Sequence, residues 1–104
     1  MKVNVVGRHF EVTSSVRDYA TSKAEKLERF YERIGDVRVT LSSEGQDMTA
    51  EIVASATKGV QMVGEARGET IYAAVDLAMD KVERQITRHK EKLSGHRAKR
   101  PKAQ

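Results

Sequence analysis

The chain has 104 residues, 38% hydrophobic and 33% charged, with a formal net charge of +4, which is enough for one domain with a modest core and too little for two. It has no cysteine, so disulfides, thiolate metal sites and cysteine nucleophiles are excluded. Its apolar runs are too short for a membrane span or the core of a signal peptide, which predicts a cytoplasmic protein.

In chain order, Val3 and Val5 alternate with Lys2 and Asn4, so residues 2–7 read as a short strand. Thr13 is the expected N-cap of a helix over 14–34, because Val16, Tyr19, Ala20, Leu27, Phe30, Tyr31 and Ile34 form one apolar stripe. Gly35 is the expected stop. Val37, Val39 and Leu41 alternate with polar partners in a second strand. Residues 43–47 form a polar turn. Met48, Ala50, Ile52, Ala54 and Ala56 give a third strand, and Lys58-Gly59 signals a hairpin. Val60, Met62, Gly64 and Ala66 give a fourth. Ile71, Val75, Ala78, Val82, Ile86 and Leu93 then keep helical spacing from about Glu69-Thr70 to Ser94-Gly95. That helix is roughly 36 Å long and should overhang the strands. The expected class is α+β, ordered β-α-β-β-β-α: a four-stranded sheet with both helices on one face and the other face wet. A right-handed crossover would lay the first strand parallel to a neighbour. The domain spans 1–95, and 96–104 forms a basic flexible tail.

The charge is unevenly spread. Residues 1–80 carry −3 and residues 81–104 carry +7, a pattern that points the basic end at a polyanion. At 100° per residue, Lys26, Arg29 and Arg33 share one flank of the first helix, with Lys23 inside the apolar stripe beside them. Glu25, Glu28, Glu32 and Asp18 occupy the opposite flank and back, and Arg17 is the exception. On the last helix Lys81, Arg84, Arg88 and Lys92 share one flank. Asp76, Asp80, Glu83 and Glu91 share the other, with Lys90 the exception. Helices shaped only for solubility intersperse their signs. A lysine within an apolar stripe must also snorkel past core side chains.

No catalytic constellation is visible. His9, His89 and His96 form no metal-ligand spacing, and His89 reads as a partly buried packing residue. Ser14 and Ser15 read as helix-start residues, not nucleophiles. Gly64 and Gly68 fit neither a P-loop nor a dinucleotide fingerprint. The expectation is a protein that is not an enzyme, with no cofactor, no metal and no small-molecule substrate.

The segments Val5-Val6-Gly7-Arg8-His9-Phe10-Glu11-Val12-Thr13, Lys23-Ala24-Glu25-Lys26-Leu27-Glu28-Arg29-Phe30, Ile71-Tyr72-Ala73-Ala74-Val75-Asp76 and Asp80-Lys81-Val82-Glu83-Arg84-Gln85 carry a resemblance. With Val16-Arg17-Asp18-Tyr19 and His89-Lys90-Glu91-Lys92-Leu93, they make residues 2–93 resemble the ribosome hibernation promoting factor family. That family includes the ribosome-associated inhibitors and is also named for sigma factor modulation. The resemblance implies a fold similar to a double-stranded-RNA-binding domain. It also implies a stress and stationary-phase factor on the small ribosomal subunit, blocking messenger and transfer RNA at the decoding channel and so inhibiting translation. The implied rRNA-binding residues are Lys23, Lys26, Arg29, Arg33, Lys81, Arg84, Arg88 and Lys92, the set the helical wheels select. Thr70-Ile71 stands where family members commonly carry Asp-Met. The chain resembles a short form without the domain that pairs ribosomes, and it is expected to be monomeric off the ribosome. Two other readings are a general double-stranded-RNA binder and a sigma factor modulator. Against the first, the last helix opens with Glu69 and carries Asp76 where such domains present lysines.

Overall fold

A computed structural model describes residues 1–94; the segment 96–104, expected as a tail, lies outside the described residues. The elements are β1 (Lys2–Arg8), α1 (Ser14–Phe30), β2 (Ile34–Glu44), β3 (Asp47–Ala56), β4 (Gln61–Gly68) and α2 (Ile71–Ser94), with a 3-10 turn at Thr57–Gly59 between β3 and β4. The sheet order is β1-β2-β3-β4. β1 runs parallel to β2, with Val5 opposite Val39, as a crossover through α1 requires. The other pairings are antiparallel. Gly45 (φ 61°) and Gly59 (φ 78°) occupy the left-handed region at the two hairpin turns, a conformation glycine adopts without steric cost.

Side-chain hydroxyls start both helices. Thr13 Oγ1 accepts from the Val16 N–H at 3.2 Å, and Thr70 Oγ1 accepts from the Ala73 N–H at 3.1 Å. Each satisfies a first-turn donor that has no partner within its helix. Threonine therefore supplies the cap at the place where the resemblance led one to expect aspartate.

α1 ends at Phe30, four residues short of the expected 34. Tyr31 turns extended (φ −157°, ψ 102°) and its N–H closes on the Leu27 carbonyl. Tyr31 and Ile34 are buried as their helical spacing suggested, but a turn delivers them. Ile34 has to open β2 opposite Ala56, and ladder pairing there replaces a last helical turn. Gly35 lies inside β2 at the register shift between Ile34 and Asp36, so it serves a bulge and not a helix stop. Arg33 consequently belongs to the connecting segment rather than to α1.

Both helices cover one sheet face, α1 over β1 and β2, α2 over β3 and β4. Leu27, Leu41, Ile52, Met79, Val82 and Ile86 are buried between the layers, and no polar or charged side chain is buried among the described residues. The other sheet face presents Arg38, Thr40, Glu51 and Glu65 in partly or fully exposed positions. Gly64 sets how closely α2 can approach: a Cβ there would stand 2.3 Å from the Ala78 carbonyl oxygen and 2.9 Å from Val82 Cγ2.

Both outer strands are tied to helices through their free backbone edges. The Val63 N–H donates to Gln85 Oε1 at 2.9 Å, and Gln85 Nε2 donates back to the Val63 carbonyl. Lys81 Nζ donates to the Glu65 carbonyl at 2.7 Å. On β1, Arg17 Nη1 donates to the Val5 carbonyl at 3.1 Å. Exposed strand edges otherwise invite pairing with other chains.

Candidate nucleic-acid interface

The two helices lie side by side, and their facing flanks carry opposite charge. Tyr19, Lys23 and Lys26 of α1 face Asp76, Asp80 and Glu83 of α2. Tyr19 Oη donates to Asp76 Oδ1 at 2.6 Å. Lys23 Nζ stands 3.4 Å from the same oxygen and 5.5 Å from the centre of the Tyr19 ring. Tyr72 meets Tyr19 edge to face at 4.9 Å. Lys23 snorkels as its position in the apolar stripe required, but its ammonium ends on a carboxylate of the neighbouring helix.

This cluster shifts two titrations in the same direction. The hydrogen bond to Asp76 holds the Tyr19 hydroxyl above the usual tyrosine range, with burial and the Asp76 charge adding to it. For Lys23, burial pulls the ammonium down, but the charge of Asp76 and the neighbouring Tyr19 outweigh it and raise it overall. Groups raised on folding stabilise the fold below their ordinary values, and that stability is lost as pH rises through the raised ones. The thermal midpoint is therefore expected to fall at alkaline pH, above about 10, and Tyr19→Phe should flatten that fall. Thermal melts across this pH range check it; equal pH profiles for the two proteins would rule Tyr19 out as a cause.

The sequence-derived cations separate into three groups. Lys23 and Lys81 are engaged internally, Lys23 on Asp76 and Lys81 on the β4 edge. Lys26 is exposed and lies close enough to influence the Glu83 carboxyl. Arg29, Arg33, Arg84 and Arg88 are exposed and make no ion pair or hydrogen bond among the described residues. Arg29 stands toward the outer side of α1, beside Glu25, Glu28 and Met1. Arg29 and Arg33 border one hollow with Phe30, Tyr31 and Lys90. Arg84 and Arg88 border a second, also with Phe30. The two hollows share Phe30, so the free arginines surround the C-terminal end of α1. The side chain of Lys92 lies outside the described residues.

Three contributors, Lys90, Gln85 and Arg17, lay beyond the reach of sequence periodicity. Lys90 Nζ donates to the Phe30 carbonyl at 2.6 Å, placing a cation on the carbonyl end of α1, where the helix dipole favours it. His89 packs edge-on against Tyr31 with ring centres 5.5 Å apart, in keeping with its expected packing role. Gln85 and Arg17 bond strand edges. Phe30 is 42% exposed between arginines, although its helical spacing had placed it in the apolar stripe of a helix running on to residue 34.

Among the described residues no group of histidine and acidic side chains could hold a metal ion, and no helix is long and apolar enough to cross a membrane. The two-layer β-α-β-β-β-α domain is a fold shared with ribosome interface proteins. A ribosomal subunit interface protein from Coxiella burnetii superposes with a TM-score of 0.80 over 86% of this chain and 98% of its own, at 17% identity, a likeness of fold alone. The N-terminal domain of Thermus thermophilus Protein Y superposes with a TM-score of 0.77 over 86% of this chain and 99% of its own, at 32% identity. Residues 3–94 match the family described as Sigma 54 modulation protein / S30EA ribosomal protein, and the chain belongs to that family. Curated relatives include the ribosome hibernation promoting factors of Klebsiella oxytoca, 38% identical over 92% of this chain and all of its own, and of Azotobacter vinelandii, 39% identical over 88% of this chain and 85% of its own.

Proposed function

We propose that this chain is a ribosome hibernation factor. It binds the small ribosomal subunit at the decoding channel and inhibits translation by filling the space that messenger and transfer RNA need. It acts by occupancy, without catalysis, in the cytoplasm where ribosomes work. Off the ribosome it is a monomer. The observation that carries this reading is the set of exposed arginines around the end of α1, Arg29, Arg33, Arg84 and Arg88. They have no partner among the described residues, in a chain alignable with hibernation factors over nearly its whole length. Unpaired guanidinium groups suit phosphate, which they bind in bidentate geometry.

Occupancy is an equilibrium competition, so it is reciprocal. Transfer RNA bound beforehand should weaken binding of this protein to purified small subunits, and the protein should weaken transfer RNA binding by the same factor. Simultaneous independent binding would overturn the mechanism. Affinity should also fall steeply with salt, because each neutralised phosphate releases counterions. With Lys26 and the four arginines engaged, log affinity against log salt should slope at roughly −3 to −5. Cosedimentation across a salt series measures it, and a flat response would count against a basic interface.

A further inference from the structure

Phe30 closes α1 with much of its ring in solvent. It forms one wall of a depression of about 520 Å³, within the size range of small-ligand sites. The other walls come from α2: Asp80, Glu83, Arg84, Thr87 and Arg88. An aromatic surface, two free guanidinium groups, two carboxylates and a hydroxyl thus meet in one place. A basic peptide would be repelled by the arginines, and an acidic one by the carboxylates. A nucleotide satisfies both, with a phosphate for the arginines and a base edge bearing N–H donors for a carboxylate.

We propose that this depression takes a single unpaired guanine nucleotide of ribosomal RNA, its base stacked on Phe30, its Watson–Crick edge on Glu83 and its phosphate on Arg84 and Arg88. The proposal rests on the reading that the chain binds ribosomal RNA. Proteins that read RNA by sequence take unstacked bases onto aromatic rings and bond their Watson–Crick edges. Guanine offers N1–H and the N2 amino group side by side, so one carboxylate can accept both. Adenine and cytosine offer one amino group at that edge, beside a ring nitrogen that repels a carboxylate. Uracil flanks its one N–H with two carbonyls. Glu83 is suited to the task. It makes no hydrogen bond or ion pair among the described residues. Burial, then the neighbouring Asp80, raise its carboxyl above the usual range despite Lys23 and Lys26. Two N–H donors from a base would supply the stabilisation this carboxylate lacks. The Thr87 hydroxyl is available to donate to the guanine O6.

The experiment is chemical footprinting of purified small subunits with kethoxal, which modifies N1 and N2 of unpaired guanines, at saturating protein. Wild type and Phe30→Trp, which keeps a stacking surface, should protect a guanine. Phe30→Leu and Glu83→Gln should bind and leave that guanine reactive, with Phe30→Leu about tenfold weaker by cosedimentation. Glu83→Gln should melt no lower than wild type, since the fold disfavours the charge it removes, so its loss of protection cannot be ascribed to unfolding. The chain has no tryptophan, so Phe30→Trp also supplies a single tryptophan, whose emission stacking on a base should quench. The same guanine protection from Phe30→Leu and Glu83→Gln as from wild type, or no protected guanine under bound wild type, overturns the base site and leaves ribosome binding standing. Failure of wild type to cosediment overturns the functional reading, and the base site with it.

Discussion

Arg84→Glu combined with Arg88→Glu is expected to lower affinity for small ribosomal subunits by about two to three orders of magnitude, because placing like charge against phosphate costs several kcal/mol. Both side chains are exposed and neither has a partner among the described residues, so the fold should lose about 0.5 kcal/mol or less. Cosedimentation alongside a thermal melt separates the two effects. A double variant that binds as wild type would remove the α2 arginines from the interface. Lys23 is a poorer probe: glutamate there would face Asp76 and break the link between the helices. Lost binding could then reflect a disturbed fold as well as a lost phosphate contact.

Leu27→Ala is expected to have the largest effect on stability. Leu27 is fully buried where α1 meets the sheet. Its truncation should cost about 2–5 kcal/mol through lost transfer energy and an unfilled cavity. In a domain of this size that corresponds to a fall in thermal midpoint of at least about 8 °C. Val82→Ala, fully buried on α2, should cost about 1–3 kcal/mol. Urea titrations measure both, with an unchanged slope showing that stability alone has moved. A Leu27→Ala protein with a wild-type midpoint would contradict the core assignment.

Element order, the one-sided core and the approximate start of both helices were legible because each rests on local chemistry: alternation for the strands, three- and four-residue steps for the helices, and the Thr13 hydroxyl for the cap of α1; the cap that Thr70 gives α2 is seen only in the structure. The end of α1 was not legible. Tyr31 and Ile34 keep helical spacing, and only the pairing of Ile34 with Ala56 across the sheet shows that a turn places them. For the interface, helical wheels separated the charges on each helix, but a wheel does not say which flank faces the other helix. The acidic flank of α2 faces Lys23 and Lys26, so the two basic flanks do not form one continuous surface. The two cations that broke the pattern, Arg17 and Lys90, each bond a backbone carbonyl elsewhere in the fold. Their exception to the pattern was a structural signal, readable only once the partner carbonyls had positions.

The attachment of α2 to β4 works as a ruler. Lys81 and Gln85 are four residues apart on a helix, a rise of about 6 Å. The backbone groups they bond, at Glu65 and Val63, are two residues apart on a strand, a rise of about 6.8 Å. The near match lets a helix present donors and acceptors where a fifth strand would present its own. It also fixes the helix lengthwise, because sliding α2 by one residue would break every bond to the edge. An incoming strand, from another copy or an unfolded chain, would have to displace Gln85 and Lys81 before it could pair. The same two side chains thus hold α2, with Arg84 and Arg88, in register over the sheet and close the edge to polymerisation.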